Sequence, residues 1–135
     1  MKLSNLKLLG TCFLLLAAVS GLGASDARAL EIAIDISPSV LNIQSKGTVV
    51  TVHTDLDYAL VDAYSVYLNG VAIKSWKVDN RGDFVAKFAM EEVKRLDGLV
   101  IGDYNTLQIV GLTTGGEPFV GAQEIMVIDV VPQVR

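Results

Sequence analysis

Acid–base or nucleophilic chemistry in this chain would have to run through His53, the only histidine among 135 residues. A Ser–His–Asp arrangement needs a nucleophile held on a sharp turn, and no Gly-x-Ser-x-Gly elbow or comparable context accompanies His53. The residue sits inside the β-branched run Thr48–Thr54, where a half-exposed strand histidine is the plain expectation. Carboxylates pair at Asp55/Asp57 and at Glu91/Glu92. Glycoside hydrolysis sets two carboxyls roughly 5–10 Å apart across a cleft. A small sandwich offers no such cleft, and Glu91/Glu92 suit the wet face of a helix. No glycine-rich phosphate loop precedes a helix. No catalytic residue is assigned, and neither enzyme activity nor a cofactor is expected.

Aromatic residues give the better case for binding. Trp76, Tyr64 and Tyr67, with Tyr58 further off, have two readings. Exposed, they would form a face on which sugar rings stack, since Tyr and Trp keep one polar end wet. Buried, Trp76 would be the core anchor that sandwiches favour. Arg81-Gly82-Asp83 spells the integrin-type adhesion tripeptide, but turn chemistry alone accounts for Gly and Asp there.

The amino end has the pattern of a cleaved export signal. Lys2 and Lys7 form a positive n-region, Leu8 to Val19 is almost wholly apolar, and Ala27-Arg28-Ala29 is an A-x-A site. The apolar run is shorter than the roughly 20 residues of a spanning helix. Cleavage is expected before Leu30, giving a signal peptide over 1–29 and a mature domain over 30–135, exported to the periplasm or the extracellular space. Cys12, the one cysteine, falls in the apolar run without the small residue before it that lipidation wants. The mature part therefore has no cysteine. Zinc sites built on several His and Cys ligands are excluded, and the fold must stand without disulfides. Loss of 1–29 removes three of eleven basic residues and one of fifteen acidic ones, moving the formal charge from −4 to −6. An acidic domain without a basic stripe suits neither nucleic acid nor an anionic membrane, and no membrane insertion is expected after cleavage.

The elements that would position these residues are strands. Glu31–Ile36 alternates at period 2. Ser37-Pro38-Ser39 interrupts it, and Val40–Ile43 resumes, switched to the other sheet. Thr48–Thr54 is a strand, Asp55–Ala63 a loop, and Tyr64–Leu68 a strand. Asn69-Gly70 then marks a type I′ hairpin with Val71–Val78 as the returning partner. Phe84–Phe88 alternates cleanly after the turn at 79–83. Met90–Leu96 is the single helix, with Met90, Val93 and Leu96 on one face. Tyr104–Val110, the turn Thr113–Gly116 and a last strand from Phe119 to Val130 complete the pattern. Turns at regular spacing predict an all-β sandwich of about seven strands with one short helical crossing. In the last strand Phe119, Ile125, Val127 and Ile128 make both alternating faces apolar. Such a strand is either central or an edge open to strand addition.

Ile34-Asp35-Ile36-Ser37-Pro38, Leu41-Asn42-Ile43 and Ser45-Lys46-Gly47 resemble the opening of small secreted immunoglobulin-like domains of bacteria and archaea. The closing segment is similar to the same family at Gly111, Gly115, Glu117, Pro118, Phe119, Gly121, Ile125, Val127 and Ile128, as are Lys87-Phe88 and the short helix after them. The resemblance implies an immunoglobulin-like β-sandwich serving as an accessory module, and it specifies turns and core rather than an activity. Relatives often carry a longer acidic loop, of calcium-binding appearance, before the Lys-Phe strand. Here only Asp79-Asn80-Arg81-Gly82-Asp83 remains. Asp79 and Asp83 are weak calcium candidates, since calcium takes about six or more oxygens, and no metal is expected. Two functions follow: a secreted structural or interaction module that binds itself or another envelope protein, or a carbohydrate-binding module using Trp76, Tyr64 and Tyr67.

Overall fold

The computed structural model describes residues 28–132. The basic n-region and apolar run of the expected leader, with Cys12, lie outside the described residues. Ten strand segments follow one another: β1 (Leu30–Glu31), β2 (Ile34–Ser37), β3 (Val40–Asn42), β4 (Val49–Asp57), β5 (Val61–Leu68), β6 (Val71–Ala72), β7 (Ser75–Val78), β8 (Asp83–Ala89), β9 (Asp103–Thr113) and β10 (Pro118–Ile128). A 3₁₀ turn, Tyr58–Leu60, joins β4 to β5, and α1 (Met90–Lys94) joins β8 to β9.

These make two sheets. A six-stranded sheet runs β1-β10-β9-β5-β6, with β3 also paired to β10, and a four-stranded sheet runs β2-β4-β8-β7. Their inner faces share one core. Phe84, Phe88, Ile36, Val50 and Val52 come from the smaller sheet, and Phe119, Leu107, Ile109, Leu68, Ile125 and Val127 from the larger. Burial of each such side chain stabilises the fold by about 1.5–3 kcal/mol, which is how a domain without disulfides closes. The all-β sandwich read from the sequence is what the chain forms.

Segments outnumber the expected seven because the chain changes sheets inside runs that look continuous. It crosses between Glu31 and Ile34, so the period-2 run 31–36 is split between the two sheets. It crosses back at Ser37-Pro38, where proline has no N–H for a ladder, and β3 joins the other sheet as expected. The Asn69-Gly70 turn forms with φ of 46° and 87°, both in the left-handed region that a type I′ turn requires. Its returning strand, however, is not one partner. Only Val71–Ala72 pairs with β5, whereas Ser75–Val78 crosses over and pairs with β8.

Three further expectations need correction. The acidic stretch 55–63 is mostly strand. Asp55, Leu56 and Asp57 continue the alternation of β4, with the aspartates outward and Leu56 in the core. β8 does not alternate cleanly, because Val85 is buried on the outer side, beneath the row it shares with His53 and Lys77. The last strand ends at Ile128 rather than Val130, and of its two expected positions it takes the central one. β9 lines one side, while β1 pairs at Phe119–Val120 and β3 at Met126–Ile128 on the other. The helix meets expectation, with Met90 and Val93 buried and Leu96 packed against the core.

Candidate functional site

In the six-stranded sheet, alternation turns half the side chains of β9 and β10 away from the core. On β9 the outward positions are Tyr104, Thr106, Gln108, Val110 and Leu112, so a polar middle gives way to an apolar end at Val110 and Leu112. Pairing aligns these residues into rows. Glu31, Val120, Val110, Tyr67 and Ala72 lie opposite one another across five strands, and Pro118, Leu112 and Asp62 form the neighbouring row. Tyr64, Tyr67, Val110, Leu112, Pro118 and Val120 line an open groove of about 680 Å³, with Ala29 at its rim.

A break in β5 shapes this groove. Pairing with β9 jumps between Asp62/Leu112 and Tyr67/Val110, so Ala63–Val66 bulge out opposite a single residue, Gly111. The Ser65 hydroxyl fills the gap in the ladder: it accepts from the Leu112 N–H at 2.8 Å and donates to the Asp62 carbonyl at 2.6 Å. The bulge lifts Tyr64 to 82 % exposure and leans its ring on Trp76, 5.0 Å between centroids. Tyr67, beyond the bulge, is 42 % exposed. Trp76 itself takes a place between the two sequence readings. It is half-buried, paired with the core residue Ala86, and packs against the core cluster.

Trp76, Tyr64 and Tyr67 are therefore brought together at one side of the sandwich, where the edges β6 and β7 meet. Phe119, Ile125 and Val127 are buried in the core and Ile128 is partly covered. Strand addition along β10 is obstructed: β9 pairs one side, and on the other β1 takes 119–120 and β3 takes 126–128. Between these the crossover into β2 lies against 121–123, with Ile34 close on Gly121 and the Ile36 N–H donating to Gln123 Oε1 at 2.8 Å. Val110, Leu112 and Val120 were absent from the residues picked out in the sequence, since apolar positions in a strand rich in core residues look like more core. The signal that marks them is their parity with Thr106 and Gln108.

The other candidates are occupied structurally. The Asp79 carboxylate accepts the backbone N–H groups of Arg81 and Asp83 at 2.8 and 2.9 Å, and these bonds, that from Asp83 foremost, hold it below the ordinary carboxylate range. Arg81 reaches Asp83 at 3.8 Å, folding the tripeptide onto itself. No group of three or more His, Cys, Asp or Glu placed to hold a metal occurs among the described residues. His53 lies on the outer face of the smaller sheet between Asp35 and Val85. The neighbouring hydroxyl of Thr54 is turned into the core, where it donates to the Phe84 carbonyl at 2.7 Å and accepts the Leu56 N–H at 3.2 Å.

A second depression, about 700 Å³, lies at the opposite end between Pro38, Val40, Asn42, Lys46 and Val131. Its polar groups already hold the chain: the Asn42 side chain donates to the Val130 carbonyl and accepts its N–H, and Gln44 donates to Asp129. No described helix is long and apolar enough to cross a membrane. In fold and site the chain is thus an all-β sandwich with an apolar, aromatic-edged patch on the outer face of its larger sheet. Comparison with protein-family profiles, with curated proteins and with solved structures finds no match to any of them.

Proposed function

We propose that this chain is a secreted, non-enzymatic interaction module of the cell envelope or extracellular space, of immunoglobulin-like type, docking through the outer face of its six-stranded sheet. One observation carries the reading. Val110, Leu112, Tyr67 and Tyr64 are exposed, large and apolar, and they lie side by side on a sheet whose other face is already the core. Contiguous exposed apolar surface on a soluble domain marks a place where something binds. The leader pattern over 1–29 supports export. Docking by strand addition gives way to docking by a sheet face, because β10 is interior.

A photo-crosslinking residue placed at Tyr67 in the host tests this, with the same residue at Thr51 on the opposite sheet as control. A discrete crosslinked product at 67 and none at 51, in the exported fraction, is the expected result. Equal or absent crosslinking at both positions would discard the face. Retention of uncleaved chain inside the cell would discard secretion separately.

A second reading has its own support in the 82 % exposure of the Tyr64 ring. A tyrosine held out by a backbone bulge is a stacking platform for a sugar ring. Glycan arrays probed with the protein and with Tyr64→Ala decide it: spots lost in the variant favour the sugar, and an empty array removes it.

A further inference from the structure

The strands that carry the apolar face hold charge of one sign. The strands of the six-stranded sheet contain four carboxylates, Glu31, Asp62, Asp103 and Glu124, and no Lys or Arg. Glu31, Asp62 and Glu124 lie opposite the outward-facing Val120, Leu112 and Thr106, and all three are exposed. Glu117 adds a further exposed carboxylate beside Pro118. The strand lysines, Lys77 and Lys87, both belong to the other sheet, and Lys74, exposed in the crossover after β6, already has its backbone N–H bonded to Lys87 of that sheet. The ion pairs among the described residues, Arg81–Asp83, Lys94–Glu91 and Arg95–Glu91, also lie away from this face. Arg28 precedes β1, on the far side of the expected cleavage point, so maturation would remove it.

We infer that the occupant of this face is a foreign protein surface with an apolar centre and a basic rim, and not a second copy of this chain. The inference rests on the interaction reading above. A two-fold contact between copies sets the same patch against itself, here carboxylate row against carboxylate row, and like charges brought together during docking oppose it. A head-to-tail contact onto the smaller sheet fares no better, since its outer face carries Asp35, Asp55 and Asp57 with its lysines, and its one large apolar residue in mid-face, Val85, is covered. The depression at Val40 and Val131 brings a single lysine, Lys46, too little for a rim facing several carboxylates. Anionic lipid is repelled by the same carboxylates. A partner offering Lys or Arg around an apolar patch satisfies both features together.

The test uses the full chain expressed in its host and purified from the exported fraction. The probe is a short fluorescent amphipathic peptide of leucine and lysine, compared with its leucine–glutamate counterpart. The Leu–Lys peptide is expected to bind and the Leu–Glu peptide not to. The Glu31→Gln/Asp62→Asn double variant is expected to bind about tenfold more weakly, whereas Asp35→Asn/Glu92→Gln, on the smaller sheet and the helix, stays within about twofold. Val110→Lys is expected to abolish binding. Equal binding of both peptides, lost in Val110→Lys, would overturn the basic partner while keeping the face. Binding indifferent to Val110 would overturn both. Equal loss in the two neutralised variants would reduce the effect to net charge. Sedimentation gives the last arm: a wild-type dimer that Val110→Lys dissociates would make the occupant a second copy and overturn the inference.

Discussion

The rings of Tyr64 and Trp76 meet edge to face, centroids 5.0 Å apart and planes at 78°, although their strands belong to different sheets. The pair closes the side of the sandwich where β6 ends and β7 begins. Removing the Tyr64 ring opens the indole to water, so Tyr64→Ala is expected to red-shift tryptophan emission. Since Trp76 is the only tryptophan, the spectrum reports this contact alone. Stability should fall by about 0.5–1.5 kcal/mol, the range for such aromatic pairs. Unchanged emission would mean the rings do not hold this geometry in solution.

Gly111 and Phe119 are cross-strand partners, and the phenyl ring lies over the glycine. A Cβ at 111 would stand 2.6 Å from Phe119 Cζ and 3.0 Å from Val66 Cγ2. Gly111→Ala is therefore expected to cost about 1–3 kcal/mol in denaturant unfolding, the usual range for overpacking. Adding Phe119→Leu should cost less than the two single changes summed, because the smaller side chain vacates the clash. Strict additivity would show that the ring does not hold position 111 to glycine.

Thr54 spans the irregularity where β4 and β8 lose register between His53 and Asp57. Its buried hydroxyl satisfies the Phe84 carbonyl and the Leu56 N–H together. Thr54→Val keeps the shape and strands both groups, with an expected loss of about 1–3 kcal/mol. A neutral result would require water to replace the hydroxyl.

The Asp79 turn predicts an acid limb of stability. Its carboxyl is held below the ordinary range by the N–H groups of Asp83 and Arg81. A depressed native value contributes stability above the unfolded carboxyl's titration, and that contribution is lost as pH falls through and below the ordinary carboxylate range. Asp79→Ala is expected to lower the melting temperature at neutral pH and to flatten the decline below it. An acid limb of unchanged slope in the variant would assign it to other carboxylates.

Local chemistry made much of this architecture legible. Asn69-Gly70, Pro38 and the Met90/Val93 spacing each act within a few residues, and each does what its type dictates. Where the reading failed, the cause was non-local. The run 71–78 divides because Ile73-Lys74 crosses between sheets, and nothing in its own side chains requires the crossing. At 55–63 three aspartates, Asp55, Asp57 and Asp62, suggested a loop, although Leu56 between the first two was the period-2 signal of a continuing strand. The aromatic members of the site were visible as residue types. Val110, Leu112 and Val120 were not, because outward and inward apolar residues are indistinguishable until pairing fixes the parity. The one-signed charge of these strands needed the topology too, since Glu31, Asp62 and Glu124 are scattered from the first strand of the sandwich to the last.

The interior position of β10 has a consequence for when the molecule becomes a folded object. β1 and β3, among the first strands of the described residues to be synthesised, have only this last strand to pair with in their sheet. Phe119, Ile125 and Val127 are also missing from the core until it arrives. A chain still on the ribosome therefore cannot close its sandwich before Ile128 has emerged. Long-range pairing of this kind folds slowly. Under the export proposed above, the nascent polypeptide would stay threadable for as long as a translocation channel needs it to be, and final locking would fall to the end of its passage.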